Sequence, residues 1–272
     1  MYNLLISIAV GAVLFVVTGL IGGSWLAGAI PALLGLGIVY FLLARRSGQQ
    51  LQAIMERAMA EFQSLEGHAQ PRTQREANQL MALQKEKIKA GRAIMEEGFK
   101  LSRWQFLVDQ QIHAQLGAIE YMQQNYDTAR GHLEKAWSRQ WQAQAMLACM
   151  DFRDRDIDAA LTRMKATEGP GGSDALFWGI HAWIAYKGGQ REEALAVLSR
   201  GLEKHEGSAA LKGMKKALAN KKPVRMDAFA PGWYQFFPED MPQAKEAAAN
   251  ARKHGQAPNQ RRGGYSFPHP RR

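Results

Sequence analysis

One cysteine, Cys149, stands in the whole sequence. That excludes an intramolecular disulfide framework and suits a reducing compartment. Charge is also missing over a long stretch: no Asp, Glu, Lys or Arg occurs before Arg45. All 35 basic and 25 acidic residues lie from there onward, so the net charge of +10 belongs entirely to the remainder. Other absences remove whole chemistries. The run Gly169-Pro170-Gly171-Gly172-Ser173 lacks the Gly-Lys-Ser/Thr ending that cradles phosphate, and it reads as a loop. Asp154-Arg155-Asp156-Ile157-Asp158 opens like a calcium loop, but Ala159 and Lys165 stand where glycine and glutamate are required. Those acids read instead as an inter-helix turn and the start of a helix. The seven histidines form no His-Glu-x-x-His helix and no ligand pairing with Cys149, which itself lacks a neighbouring base. Catalytic residues, cofactor sites and metal ligands are therefore not expected, and neither is enzymatic activity.

What is present begins with two apolar stretches, Leu4 to Ile21 and Trp25 to Ala44. Each is close to the roughly 20 residues that cross a hydrocarbon core, and a backbone there must satisfy its own hydrogen bonds as helix. Gly22, Gly23 and Ser24 leave room for a tight turn only, so residues 1–46 are expected to form a transmembrane helical hairpin. Small residues at four-residue spacing (Ser7 and Gly11, Gly28 and Ala32) would let the helices approach closely. Pro31 falls in the second turn of its helix, where a missing amide costs less than at mid-span. Trp25 and Tyr40 suit the two interfaces, and Arg45-Arg46 after the second span place both termini in the cytoplasm. A cleaved signal would need a positively charged start, and Met1-Tyr2-Asn3 supplies no such side chain. The expected location is the bacterial cytoplasmic (inner) membrane.

Residues 47–108 read as connecting amphipathic helices. Leu51, Ile54, Met55, Ala58, Met59, Phe62 and Leu65 recur at helical spacing; Gly67 and Pro71 interrupt them. Thr73, with Glu76 three residues on, can cap a second helix. Gly91 and Gly98 mark a break or a close helix contact.

From 109 to 220 the sequence repeats itself. Ala129, Ala160 and Ala194, spaced 31 and 34 apart, are each followed four residues later by Leu133, Met164 or Leu198. Twelve residues before each lies another small residue: Gly117, Ala148, Ala182. A small residue on each of two antiparallel helices lets them cross closely, and the large one fills the space beside the crossing. This pattern resembles the tetratricopeptide repeat, a helix-turn-helix unit of about 34 residues. Leu116-Gly117, Ala129, Leu133 and Ala136 match its positions in the first unit. Leu147, Ala148, Ala160 and Met164 match in the second, with Thr167 replacing the later alanine. Trp178, Ala182, Ala194, Leu198 and Gly201 match in the third, with His181 where leucine is usual. The unit-ending proline is missing from the first and third units, and Pro170 lies only near its place in the second. Ser208 to Asn220 reads as a final helix, capped by Ser208, whose Leu211, Met214 and Leu218 cover the open end of the array.

The resemblance implies a groove lined by the first helix of each unit. It places Tyr121, Phe152 and Tyr186 along that groove, with Trp183, Arg153, Lys187 and Cys149 close by. An aromatic strip beside two cations suits a peptide carrying apolar and acidic residues. The family's asparagine-and-lysine clamp for a C-terminal carboxylate is not present. Residues 221–272 comprise a Pro/aromatic segment and a basic tail. Its cluster Trp233, Tyr234, Phe236 and Phe237 is read as packing back on the repeats or docking a partner. Pro242 to His254 suits a short helix, and disorder is the default from Gly255 on.

The expected fold is thus all-α: a two-helix transmembrane hairpin, a helical solenoid resembling tetratricopeptide repeats, and a partly irregular basic tail. The expected function is a membrane-tethered scaffold or adaptor recruiting protein partners. The alternative is a structural subunit whose hairpin packs with other membrane helices. Basic residues suit contact with anionic lipid, and nucleic acid is the less favoured target.

Overall fold

A computed structural model of the chain describes residues 1–22, 24–63 and 74–242. The expectations for Gly67, Pro71 and Thr73, for a helix beyond Pro242 and for the tail from Gly255 lie outside the described residues. Among the described residues all regular structure is helical. The chain divides into two compact units, Met1–Leu116 with Lys135–Trp137, and Gly117–Glu134 with Ser138–Arg272.

The first unit opens with helix α1 (Tyr2–Ile21) and helix α2 (Trp25–Gln63). Both contain spans long and apolar enough to cross a membrane. They lie against each other through small residues. A Cβ added at Gly28 would fall 2.6 Å from the Phe15 carbonyl oxygen, and one at Gly11 would fall 3.1 Å from the Leu36 Cβ. Facing outward are Leu5, Ile21, Leu26 and Leu33, all largely exposed. Apolar area costs about 25 cal/mol per Å² in water, so leaving this surface in contact with water is unfavourable.

The boundary expected after Arg46 is not a boundary in the backbone. Helix α2 runs through Arg45, Arg46, Ser47 and Gly48 without interruption for 39 residues, about 58 Å at 1.5 Å per residue. The reason is local. No proline follows Pro31 in the helix, and the Ser47 hydroxyl donates back to the Leu43 carbonyl at 3.0 Å, inside the helix's own groove. The later half of α2 buries Leu51, Ile54 and Ala58 and packs on helix α3 (Gln74–Glu97). Lys87 of α3 reaches Glu61 of α2 at 2.8 Å. At Gly98 the chain tightens into a 3₁₀ turn, where a Cβ would lie 2.9 Å from Ile112; this is a close contact as well as a break.

Helix α4 (Val108–Met122) begins in the first unit and ends in the second. The second unit continues with α5 (Tyr126–Leu133), α6 (Trp141–Arg153), α7 (Ile157–Ala166), the single turn α8 (Glu168–Gly171), α9 (Ala175–Lys187), α10 (Arg191–Lys204) and α11 (Ala209–Ala219). Ala129, Ala148, Ala160, Ala182 and Ala194 have no exposed surface. A Cβ at Gly117 would lie 2.7 Å from the Leu133 side chain, and one at Gly201 would lie 2.8 Å from the Trp178 ring. Trp178 stands near the start of α9 and Gly201 near the end of α10, so these two helices run antiparallel.

The three helix pairs share one turn. Gln124, Arg155 and Gly189 follow α4, α6 and α9 in the left-handed conformation, at φ 64°, 67° and 84°. In each turn the next residue's amide donates back to the helix: Asn125 to Glu120, Asp156 to Asp151 and Gln190 to Ala185, all at 2.9 Å. The left-handed residue donates in turn to Tyr121, Phe152 or Tyr186. This is a Schellman motif in each of the three pairs, with the same 31 and 34 spacing as the alanines; it recurs after α11, where Lys221 is left-handed and Lys222 donates to Ala217 at 2.9 Å. The acids at 154–158 cap this turn: the Asp156 carboxylate accepts from the Ala159 amide at 3.0 Å.

The glycine-rich stretch read as a loop is partly helix. Residues 168–171 make one turn, α8, because the glycines are pressed under aromatic rings. A Cβ at Gly171 would lie 2.5 Å from Phe177, and the Gly172 carbonyl accepts the Trp178 indole at 3.1 Å. His181 is buried beside them. Its Nδ1 lies 3.4 Å from Glu168, but Arg200 holds the same carboxylate oxygen at 2.7 Å. With that charge already matched, burial dominates, Arg200 and Lys165 add to it, and the imidazole is lowered from 6.5 to about 3. At the chain's other turn, Ser208 caps α11 by accepting from Leu211 at 3.3 Å, and Leu211, Met214 and Leu218 are buried.

Two outcomes follow for stability. Gly201→Ala forces Trp178 to move and lowers stability by about 1–3 kcal/mol, while Arg155→Gly relieves left-handed strain and raises it by up to about 1 kcal/mol. Urea midpoints of the full chain in detergent check both. The neutral His181 gives a pH dependence of known sign. Its folded pKa lies below the unfolded one, so the unfolded chain takes up the proton first as pH falls. Stability is complete above pH 6.5 and declines toward pH 3, by up to about 1.4 kcal/mol per unit. His181→Leu makes the pH 7.5 to 5 drop in urea midpoint smaller than in the wild type.

Candidate binding site

Most of the candidate residues meet in the second unit, on the face formed by α4, α6 and α9. Tyr121 and Cys149 have no exposed surface, and Phe152 is 4% exposed. Trp183, Tyr186 and Lys187 are half-buried at the end of α9. The face is occupied. The chain returns after α11 and lays residues 226–240 across it as three short 3₁₀ turns, Asp227–Phe229, Gly232–Gln235 and Pro238–Asp240. A peptide with apolar and acidic groups was the ligand expected there, and the occupant has that chemistry but belongs to the chain itself.

Aromatic burial supplies most of the contact. Met226, Phe229, Trp233, Phe236 and Phe237 are all buried. The Phe229 ring lies over Gly179 of α9, where a Cβ would meet it at 2.7 Å. Trp233 stacks on Phe237 with centroids 4.1 Å apart, and Trp183 meets Trp233 edge-on at 5.6 Å. Phe236 stacks on Trp141 at 5.8 Å, and Trp141 in turn meets Phe177. Each fully buried aromatic of this kind is worth about 1.5–3 kcal/mol. Tyr234 stays half-buried at the edge. Lys187 sits 4.5 Å above the Trp183 ring, and the Trp183 indole N–H is buried without a hydrogen-bond partner.

Arg153 fixes the register of the segment. Its side chain, 10% exposed, donates to the Tyr121 hydroxyl, to the Phe236 carbonyl at 3.0 Å and to both Glu239 oxygens at 2.9 Å. Tyr121 donates to the same carbonyl at 2.6 Å. The guanidinium lies 4.8 Å from the Tyr126 ring and 5.3 Å from the Phe237 ring. Burial opposes its charge, yet the surrounding Tyr121 and Glu239 oxygens raise its pKa. Burial also raises Tyr121 well above the usual phenol value and pushes the Cys149 thiol up to about 12. Cys149 is thus a neutral packing group beneath the arginine. At the far end the Trp233 indole donates to Asp240 at 2.9 Å.

Tyr126, Trp141, Glu239 and Asp240 belong to this site and escaped the sequence reading. The acids were legible in principle, since Glu239-Asp240 directly follows the aromatic cluster and offers a charge to Arg153, whose helix holds one acid, Asp151. A second ionic group sits beside the site: buried Asp151 accepts from Arg130 at 2.7 Å and from Arg163 at 3.0 Å. Among the described residues no cluster of three His, Cys, Asp or Glu side chains is placed to hold a metal.

Removing the arginine and removing the phenol hydroxyl have unequal consequences. Arg153→Ala leaves the Phe236 carbonyl only its Tyr121 hydrogen bond, removes the Glu239 ion pair and empties the space beside the Tyr121, Tyr126 and Phe237 rings, lowering stability by about 3 kcal/mol. Tyr121→Phe, which leaves the carbonyl bonded to Arg153, costs about 1 kcal/mol. Urea titration of the two variants with near-UV dichroism checks the order, because the aromatic cluster dominates that signal.

No family model, curated protein or solved structure matches this chain.

Proposed function

We propose that the chain is a membrane-tethered scaffold that binds protein segments on the α4–α6–α9 face. In this reading the α1–α2 hairpin spans a bacterial inner membrane, Arg45 and Arg46 keep both ends in the cytoplasm, and the helix pairs are tetratricopeptide-like repeats. Support for the repeat comes from the turn shared by the three pairs and from the buried small residues at matching positions. One observation carries the binding role. The face already holds an aromatic, acid-ended peptide through a buried arginine that reads its backbone and its carboxylate. Tethering raises the effective concentration of such a face for membrane-bound partners. A partner presents the same chemistry, apolar rings followed by an acid, and takes the place of residues 226–240.

A labelled synthetic peptide of residues 226–240 tests this with the full chain in detergent. It binds Trp233→Ala/Phe237→Ala, whose own segment is weakened, binds wild type poorly, and fails to bind when Arg153→Glu is added. Affinity capture from detergent-extracted membranes follows the same order for the natural partner. Equal peptide binding by all three chains, or capture indifferent to Arg153, sinks the reading.

A further inference from the structure

Beyond the peptide-binding face, the first unit has a polar cleft at the open end of its hairpin. Asn3 of α1 donates from Nδ2 to the Ser47 hydroxyl of α2 at 2.9 Å, so the start of α1 is level with Ser47. From Trp25 to Ser47 the helix rises about 33 Å, close to the roughly 30 Å thickness of a hydrocarbon core. Asn3 and Ser47 therefore mark the depth at which hydrocarbon gives way to head groups.

A loop is pinned at this level. The Tyr2 amide donates to the Arg103 carbonyl at 2.8 Å, and the Asn3 amide donates to the Trp104 carbonyl at 3.2 Å. Trp104 packs edge-on against Tyr2, with centroids 5.2 Å apart. Large apolar side chains nevertheless remain outside: Trp104 is 43% exposed and Phe106 59%. Indole and phenol rings favour the head-group layer, where an apolar body and a polar tip are both satisfied. The cleft between loop and hairpin is lined by Asn3, Leu43, Arg46, Ser47, Gln50 and Trp104. Arg46 lines it as the cation, and neither Arg46 nor the adjacent Arg103 forms an ion pair among the described residues.

We infer that this cleft binds the phosphate of a glycerophospholipid head group, with Arg46 as its cation and Gln50 as a further donor. Trp104 and Phe106 lie alongside the glycerol and upper acyl region. Three features select a lipid over a soluble anion. The cleft is continuous with the exposed apolar surface of α1 and α2, its depth matches the head-group layer, and its cation is flanked by an aromatic wedge. Arg forms paired hydrogen bonds with phosphate oxygens in this way. The site rests on the membrane-spanning reading of the hairpin.

Native mass spectrometry of the delipidated full chain, titrated with phosphatidylglycerol, tests the inference. The wild type shows a saturable single-lipid adduct that millimolar inorganic phosphate does not displace. Arg46→Gln lowers its occupancy roughly fivefold, as expected for one basic residue at the surface, and Trp104→Ala lowers it independently. Both positions are exposed, and Phe106→Ser replaces Trp104→Ala if helicity is lost. Unchanged adducts in Arg46→Gln overturn the site, and displacement by phosphate alone overturns its assignment to lipid. An alkaline carbonate wash separates the two claims. Release of the wild-type chain from membranes removes the spanning reading, whereas retention with unchanged Arg46→Gln adducts removes only the cleft.

Discussion

A buried guanidinium organises the second unit. Arg153 stands at the end of α6, almost out of water, and a charge placed there costs several kcal/mol unless its donors are met. The helices alone cannot meet them. Tyr121 takes one, and the others reach the Phe236 carbonyl and the Glu239 carboxylate, both from the returning segment. The charge thus makes the segment necessary, and the segment's rings in turn exclude the water that would otherwise solvate the charge. Neither half is stable as built without the other.

The same economy governs the helix pairs. Close crossing requires residues without bulk at one point on each helix, and it leaves room for a single short turn between them. Where that turn is made with Gly189 the backbone is at ease. Where Gln124 and Arg155 stand in the left-handed conformation, some stability is given up. The pairs hold regardless, because the buried alanines and the large residues beside them contribute more than the turn costs.

How far the sequence foretold this depends on the range of the interactions. The apolar spans, the periodic alanines and the Ser208 cap are local signals, written within a few turns of helix, and the corresponding helices stand where the spacing put them. The shared turn was hidden because two of its three left-handed positions are not glycine. The continuity of α2 was hidden for the opposite reason: two arginines and a Ser-Gly pair look like a boundary, but none of them breaks a helix whose serine bonds to its own carbonyl. The site was half legible. Aromatics and cations at equally spaced positions pointed to a face for a peptide carrying apolar and acidic residues. That residues 226–240 are this peptide follows from contacts more than 80 positions apart in the chain, which no periodicity reports.

The unbroken α2 has a further implication. A rod without a hinge fixes the angular phase between its exposed apolar half and the half that carries Leu51, Ile54 and Ala58 against α3. One residue inserted near Gly48 would turn everything beyond it by about 100° and advance it by 1.5 Å. Either the outer contacts or the exposed apolar stripe would then point the wrong way. The length of this helix is therefore constrained to the residue, and any twist applied to its apolar half is delivered undiminished to the surface on which α3 rests.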